Sequence, residues 1–534
     1  MHNNSLGPRC TDTPLRSAPI FDRLENLLFI MTTEHTLSNG QLLGAVDLGS
    51  NSFRVEIGRV DGDRIITESY WKETVRLAGG LDANGAFTPE CQERALSALR
   101  RFREKLEGIP AANIRAVGTQ ALRVAKNSAE FLPKAEEALG HPIEIIAGRE
   151  EARLVFSGCA HTLPPSNEKR LVVDIGGAST ELIVGCGFIA KECESFHVGC
   201  VNTSLEFFPD GKITARALKN AQLSAQAEFE EAHQIFSQRN WDAAYGSAGT
   251  IGAVADIGQA SGLTNGVVTP ALLKELRREL ISVGDIKKIK LPGLKEDRRD
   301  VIAGGLAVIS AVFDSFNIKE MRPAAGALRV GLLYDMLGRQ GQRDARDATV
   351  ASLTKRSGVD KQQAARVAAL ADKFFTELDA SEAAHSVRKL LQWAAMLHET
   401  GRLISPSGYH RHSQYILMNS DLPGFSKHDQ STMGTIVLAQ RGNLRKVETA
   451  LTDPTLVRMI LALRLAVIFA HARRTVHLPQ FKLAETHEGD QTVFTLTVDP
   501  QWMQRHPLTG FLLEQEELVW SRVNFRFNLV GKPQ

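Results

Sequence analysis

Two stretches of the N-terminal half carry one pattern of apolar and polar positions. AVDLGSNSFRVEIG (Ala45 to Gly58) and VVDIGGASTELIVG (Val172 to Gly185) each begin apolar, break at glycine and resume with alternation. Aligned on Asp47 and Asp174, 127 positions apart, they share Asp, a Gly two residues on, a Ser five on and a Gly eleven on. Apolar runs on both sides of a Gly turn predict paired strands in each place. After the first pair, PECQERALSALRRFREKLEG has the spacing of an amphipathic helix closed at Gly108. IRAVGT reads as a strand, and the strand IEIIAG leads into the helix EEARLVFSG. After the second pair, DAAYGSAGTIGAV reads as strand, Gly-rich turn and helix, and RPAAGALRVGLLYDML repeats that shape. Alternating strands and helices predict an α/β layer fold. The repeated opening predicts a duplicated unit with a cleft between the copies.

From Gln340 onward strand signals nearly vanish. KQQAARVAALADKFFTEL, SVRKLLQWAAMLHETGRL and PTLVRMILALRLAVIFAHARR have helical spacing. FKLAETHEGDQTVFTLTVDPQW alternates as a hairpin, and a closing helix is expected near LLEQEELVWSRV. LGRQGQRDARD reads as a linker. At the other end, LENLLFI lies close to Asp22 and Glu25 and is too short for a signal-peptide core. Met31 opens a natural start just before the first strand, so the preceding thirty residues read as a tail or an over-extended start. The expected organisation is a weakly ordered extension over 1–40, two α/β lobes over 41–165 and 166–340, a helical domain over 341–477, and a small α+β domain over 478–534.

Composition changes this picture little. A chain of 534 residues exceeds what one core supports, and 43% hydrophobic with 23% charged residues is ordinary for globular proteins. No apolar run approaches the ~20 residues of a membrane span; the best, LRLAVIFAHARR, is interrupted by Arg464. Six cysteines without CxxC or zinc spacing, and no export signal, predict a cytoplasmic, reducing location. Pairing among Cys186, Cys193 and Cys200 is the alternative. The net charge of +2 says little, but from His385 to Thr475 twelve Lys or Arg face five Asp or Glu, and six of the fifteen His fall there. That balance describes either a solvated helical surface or a track for a polyanion.

The twin turns carry candidate chemistry. Gly lets the backbone approach a ligand, successive N–H groups form an anion nest, and Ser adds a hydroxyl donor. An Asp at a strand end is costly if dry and unpaired, so a cation or water is expected beside it. Two such turns in register could grip phosphates across a cleft; single ones would be hairpin turns. AGREEARLVF presents Glu150 and Glu151 in a first helical turn, which the helix dipole alone would explain. The turn nevertheless ends a strand, where α/β clefts form, so a carboxylate there could act as a base on water. GTQALRVAKN offers Arg123, suited to phosphate or to the surface. GSAGT, Gly246 to Thr250, is a further possible phosphate cradle.

The set AVDLGSNSF, GTQALR, AGREEARLVFSG, VVDIGGASTELIVG, VGCVNTS, GSAGT and AAGALRVGLLY resembles the exopolyphosphatase / guanosine pentaphosphate phosphatase family, in that family's order. The resemblance implies two actin-like, ribonuclease H-like lobes around a phosphate cleft, each lobe giving one phosphate loop. It implies Glu151 as the carboxylate activating water, Glu181 as a second catalytic carboxylate, Arg123 as a phosphate contact, and Asp47 and Asp174 beside Mg²⁺. The phosphate loops would be Ser50, Asn51 and Ser52, and Gly176, Gly177, Ser179 and Thr180, with Gly246, Ser247, Gly249 and Thr250 as the further cradle. His197 precedes VGCVNTS in place of less polar residues, and the sequence supplies no role for it. WAAMLHETGRLISPSGYHRHSQYILMNSDLPGF resembles an HD-like phosphohydrolase domain, but the His-Asp pair reads His398-Glu399, so no second metal site is expected. GYHRHSQYILMNSDLPGF is closer to the exopolyphosphatase branch, with His410, Arg411 and His412 either lining a polyphosphate channel or serving as loop structure.

The reading that follows is a cytoplasmic, Mg²⁺-dependent exopolyphosphatase acting processively on inorganic polyphosphate, with no nucleic-acid partner and a homodimer implied by the resemblance. The nearest rival is hydrolysis of guanosine pentaphosphate to tetraphosphate, the alarmone of the stringent response. A non-catalytic sensor of polyphosphate or nucleotide is the rival from another class. A sugar kinase would leave the Glu-Glu turn unexplained.

Overall fold

In the computed structural model, residues 37–339, 344–381, 384–474, 478–489 and 491–531 are described. Nearly all of the expected N-terminal extension and the centre of the expected linker lie outside them. The first lobe is built on β1 (Leu42–Leu48), β2 (Ser52–Asp61), β3 (Arg64–Thr74), β4 (Ile114–Gly118) and β5 (Ile143–Ile145), in the order β3-β2-β1-β4-β5. The amphipathic helix Pro89–Lys105 starts where Thr88 accepts a bond from the Cys91 N–H with Pro89 in the first turn. A short helix α1 (Gln120–Val124) follows β4, and α2 (Gly148–Thr162) follows β5.

The second lobe repeats this order. β6 (Lys169–Ile175), β7 (Thr180–Cys186), β8 (Ile189–Phe196), β9 (Ala243–Ser247) and β10 (Met321–Pro323) run β8-β7-β6-β9-β10, with the same antiparallel and parallel pairings. α3 (Cys200–Phe207) follows β8, α4 (Ala248–Ala260) follows β9, and α5 (Leu328–Arg339) follows β10. The predicted duplication is therefore present strand for strand. Missing from the sequence reading are the edge strands β3 and β8, whose largely polar, exposed sequences lack an apolar run.

The lobes exchange their last helices. α2, which follows the first sheet, packs on β7 and β8, and α5, which follows the second, packs on β1 and β2. The shared Gly at position eleven explains the fit. Gly58 and Gly185 sit at the register shift of each hairpin. A Cβ on Gly185 would enter Phe156 of α2, and one on Gly58 would lie 3.1 Å from Leu333 of α5. The two helices then meet backbone to backbone: a Cβ on Gly158 would strike the Ala327 carbonyl, and one on Gly331 the Leu154 carbonyl. Leu332 and Leu333 are fully removed from water in a core shared with Leu43, Ala45, Val172 and Ile183, each worth about 1.5–3 kcal/mol. RVGLLYDML, expected in the second lobe, thus completes the first.

Beyond residue 344 helices dominate, including α6 (Tyr409–Asn419), with a sheet of β11 (Phe481–Glu488), β12 (Gln491–Val498) and β13 (Arg526–Val530). The two expected C-terminal domains share one apolar core, in which Leu463, Leu496, Trp520 and Phe527 belong to one cluster. Arg464 and Glu516 join them by a buried two-pronged ion pair at 2.7 Å and 2.7 Å. This region docks on the start of α2, where the Gly424 N–H donates to Glu150 Oε2 at 2.8 Å. Cys91, Cys159, Cys186, Cys193 and Cys200 are free thiols, so the disulfide alternative falls; Cys10 lies outside the described residues. Among the described residues no helix is long and apolar enough to cross a membrane.

Candidate active site

The twin turns meet face to face. A Cβ on Gly177 would lie 3.2 Å from the Asn51 nitrogen and 3.3 Å from the Ser50 Cβ, so glycine permits the two loops to touch. Each loop is braced from behind. Arg76 and Ala78 N–H groups donate to the Asn51 and Ser50 carbonyls, and the Cys200 and Val201 N–H groups opening α3 donate to the Gly176 and Gly177 carbonyls. With their carbonyls so engaged, the loops offer N–H and hydroxyl groups to the cleft between them.

Asp47, Ser50, Asn51, Ser52, Glu151, Asp174, Gly176, Gly177, Ser179, Glu181 and Gly249 all line this cleft. Thr180, Gly246, Ser247 and Thr250 do not. Thr180 Oγ1 donates to the Val198 carbonyl at 2.6 Å and Thr250 Oγ1 to the Ile175 carbonyl at 3.2 Å. Ser247 Oγ donates to the Gly326 carbonyl at 3.2 Å, and Gly246 lies within β9 against Ile251 and Met321. Thr180, Gly246 and Thr250 brace the walls, and the Ser247 side chain also bonds Asp174 from behind the cleft. Arg123 stands behind the lining, its Nη1 donating to Glu151 Oε2 at 2.9 Å. The Glu pair divides: Glu150 binds Arg153 and the Gly424 N–H, while Glu151 faces the cleft.

Arg54, Arg298 and Arg329 also line the cleft and escaped the sequence reading. Arg54 was detectable, since it sits opposite Asp47 in the β1–β2 register, where the second copy sets Glu181 opposite Asp174. Arg329 lies in AAGALRVGLLY. Arg298 carries no local signal; its guanidinium occupies the space beside Gly249 that a Cβ would need. Ala248, also in the lining, has φ +64°, a left-handed conformation that costs a non-Gly residue about 1–2 kcal/mol.

The electrostatics are unbalanced in two ways. Burial raises Glu151, with Arg123 pulling down and Asp47 pushing up. Asp174 is pushed up to about 7 by burial and then by Glu151. Glu181 rises well above the carboxylate range through burial, Glu151 and Asp174, although Ser195 donates to it at 2.8 Å. Burial raises Asp47 too, against Arg54 and Arg329, whose Nη1 atoms stand 3.9 Å and 3.7 Å away. At the same time, Arg54 Nε, Arg123 Nη2 and Arg329 Nη1 are buried without a hydrogen bond. Each unmet buried donor costs about 1–3 kcal/mol. Arg123 pairs with Glu151, and Arg54 and Arg329 lie near Asp47, yet raised carboxyls beside guanidinium N–H groups left without a partner on Arg54 and Arg329 suit a cleft for a cation–phosphate complex. Among the described residues no three metal-binding side chains gather around one point.

His410, Arg411 and His412 lie on α6 and are not among the residues lining the cleft. His410 Nδ1 is buried without a hydrogen bond. Its ring is pushed down to about 4 by burial and by Lys446, Arg441, Arg411 and His412. Glu399, at the position of the altered His-Asp pair, is gripped by Arg473 at 2.7 Å and 3.0 Å and by Arg402 at 3.1 Å. His398 is fully buried on the Ala395 carbonyl at 2.6 Å. Arginine therefore engages the carboxylate that stands where the His-Asp pair would place its Asp.

The Ppx/GppA phosphatase family model matches residues 59–340, and the model of its domain III matches residues 345–517. A guanosine-5'-triphosphate,3'-diphosphate pyrophosphatase of Vibrio vulnificus (strain YJ016) is 39% identical over 485 residues, 90% of this chain and 96% of that one. A protein of the same name from Vibrio cholerae (O395) is 37% identical over 480 residues, 89% of this chain and 95% of that one. The crystal structure of an exopolyphosphatase from Cytophaga hutchinsonii has a TM-score of 0.51 at 23% identity, covering 56% of this chain and 98% of that one, a likeness of fold.

Proposed function

The chain belongs to the Ppx/GppA phosphatase family, a phosphoanhydride hydrolase with two actin-like lobes, and on that premise we propose that it hydrolyses guanosine pentaphosphate to guanosine tetraphosphate and phosphate. The observation that carries the substrate is the 37–39% identity, over nine-tenths of the chain, to two relatives bearing that activity in their names. Polyphosphate, expected first from the sequence, becomes the second reading, favoured by the basic groups Arg411, Arg441 and Lys446 gathered around His410.

In this reading the terminal phosphoryl group enters between the touching loops. Ser50, Asn51, Ser52, Gly177 and Ser179 donate to its oxygens, and Arg54 and Arg329 supply their unmet N–H groups. Glu151 accepts the proton of an attacking water as the bond from phosphorus to the bridging oxygen breaks, and the electrons of that bond leave with the nucleotide diphosphate end. Arg123 holds Glu151 in place rather than touching phosphate. Glu181, which accepts from Ser195 Oγ at 2.8 Å, presents a second carboxyl to the cleft. Asp47 and Asp174 would hold Mg²⁺, which when bound neutralises phosphoryl charge. The transition state is loose, so positioning and electrostatics supply most of the rate.

The direct test incubates the protein and Mg²⁺ with guanosine pentaphosphate and, separately, long-chain polyphosphate, following phosphate release. Faster turnover per active site on the nucleotide supports the proposal; efficient loss of polymer with an inert nucleotide would move the assignment to the second reading. A further expectation follows from Asp174. With its carboxyl near 7, cation uptake near neutrality displaces a proton. Calorimetric Mg²⁺ affinity should rise up to about tenfold per pH unit below pH 7 and level off above it. Asp174→Asn should flatten that rise.

A further inference from the structure

His197, unexplained by the sequence, begins a hydrogen-bonded chain that ends on Glu151. It is exposed just after β8, in the second lobe. The Gln120 Nε2 group, on α1 of the first lobe, donates to His197 Nδ1 at 2.5 Å. That commits the other end of the same amide: Gln120 Oε1 accepts from Arg123 Nε at 3.0 Å. Arg123 Nη1 donates in turn to the Ile146 carbonyl at 2.8 Å and to Glu151 Oε2 at 2.9 Å. The guanidinium is thereby fixed on its Nε and Nη1 edges.

A primary amide has one donor end and one acceptor end, so what binds one end decides what the other offers. Without an acceptor at position 197, nothing holds the Gln120 NH₂ outward, and the amide is free to turn it toward Arg123, donor against donor. The guanidinium would then lose one of its two fixed edges, and Glu151 its steady partner. The neighbouring residues of the strand end make comparable grips. Ser195 holds Glu181 at 2.8 Å, and Glu194 binds Arg149 of α2 at 2.6 Å. Glu194, Ser195 and His197 at this strand end thus hold Arg149 of α2, Glu181 of the second lobe and Gln120 of the first.

We propose that His197 is a positioning residue, acting through Gln120 to orient Arg123 and so to aim Glu151. The inference rests on Glu151 as the base. The test measures kcat and KM for guanosine pentaphosphate, and for polyphosphate, in the wild type and in Glu151→Gln, His197→Ala, His197→Asn, Gln120→Ala and the His197→Ala/Gln120→Ala double variant. A Glu151→Gln enzyme that keeps its kcat would overturn the reading of the site and this inference with it. With Glu151→Gln inactive, His197→Ala is expected to lose about tenfold in kcat with KM within twofold. Asn, whose Oδ1 can take the place of Nδ1, should restore kcat to within twofold. The double variant should be no slower than Gln120→Ala. A His197→Ala enzyme with wild-type kcat, or one that Asn does not restore, would overturn the positioning role while leaving that of Glu151 intact.

Discussion

Glu151→Gln is expected to lower kcat by about 10³-fold, while substrate binding stays within about threefold of wild type or tightens. The amide keeps the shape of the carboxyl, and its oxygen can still accept from Arg123 Nη1, now at 2.9 Å from Glu151. It cannot accept a proton from water. A thousandfold loss corresponds to about 4 kcal/mol of transition-state stabilisation. On the proposed reading binding is spared because the anion's contacts would come from the loops and from Arg54 and Arg329, and removing a negative charge from a site for a phosphate anion costs no affinity. Initial rates paired with calorimetric binding to the variant decide the matter. Equal losses in binding and turnover would mean that Glu151 holds the cleft together instead of serving as base.

Asp335→Ala is expected to cost about 3–5 kcal/mol of stability, measured by denaturant unfolding. Asp335, on α5, accepts from Arg115 of β4 at 2.6 Å, from Arg153 of α2 at 2.6 Å and from Arg339 at 2.9 Å. It is buried, and Arg115 is buried with it. Removing the carboxylate leaves three guanidiniums sharing only Glu144 and Glu150. Burial pushes the Asp335 carboxyl up, but Arg153, Arg339 and Arg115 outweigh it and hold it below the usual carboxylate range. The sign of the pH effect follows. A depressed pKa gives stability that is complete above the unfolded value, about 3.9, and is lost as pH falls through the lower folded value. The gap between wild type and variant should hold steady from neutrality to about pH 5 and close only in stronger acid.

Much of the site was readable because its chemistry is written locally. Asp47 and Asp174, each with Gly two residues on, are contiguous signals, and their repetition promised a cleft that the structure contains. Glu151 was readable from its turn, but only the family resemblance set it apart from Glu150: the partners that separate them in the fold, Gly424 and Arg123, lie elsewhere in the chain. Arg298 was silent because its place depends on Gly249, about fifty positions earlier. Thr180, Ser247 and Thr250 looked like phosphate donors, but their hydroxyls serve nearby carbonyls, which a one-dimensional pattern does not reveal. The helix exchange was unreadable for the same reason, since periodicity predicts a helix but not which sheet receives it.

That exchange sets an order of events during synthesis. The first sheet is complete once β5 has been made, at Ile145, but the helix that covers Leu43 and Ala45 ends at Arg339. Roughly 190 residues separate the two, which at about 5–20 residues per second is roughly 10–40 s of translation. For that interval the nascent first lobe carries an uncovered apolar face, and α2, already made, waits for β7 and β8 to give it a surface. The chain reaches its stable form by a late, reciprocal closure rather than one lobe at a time, and the period before that closure is when it most needs shielding from other chains.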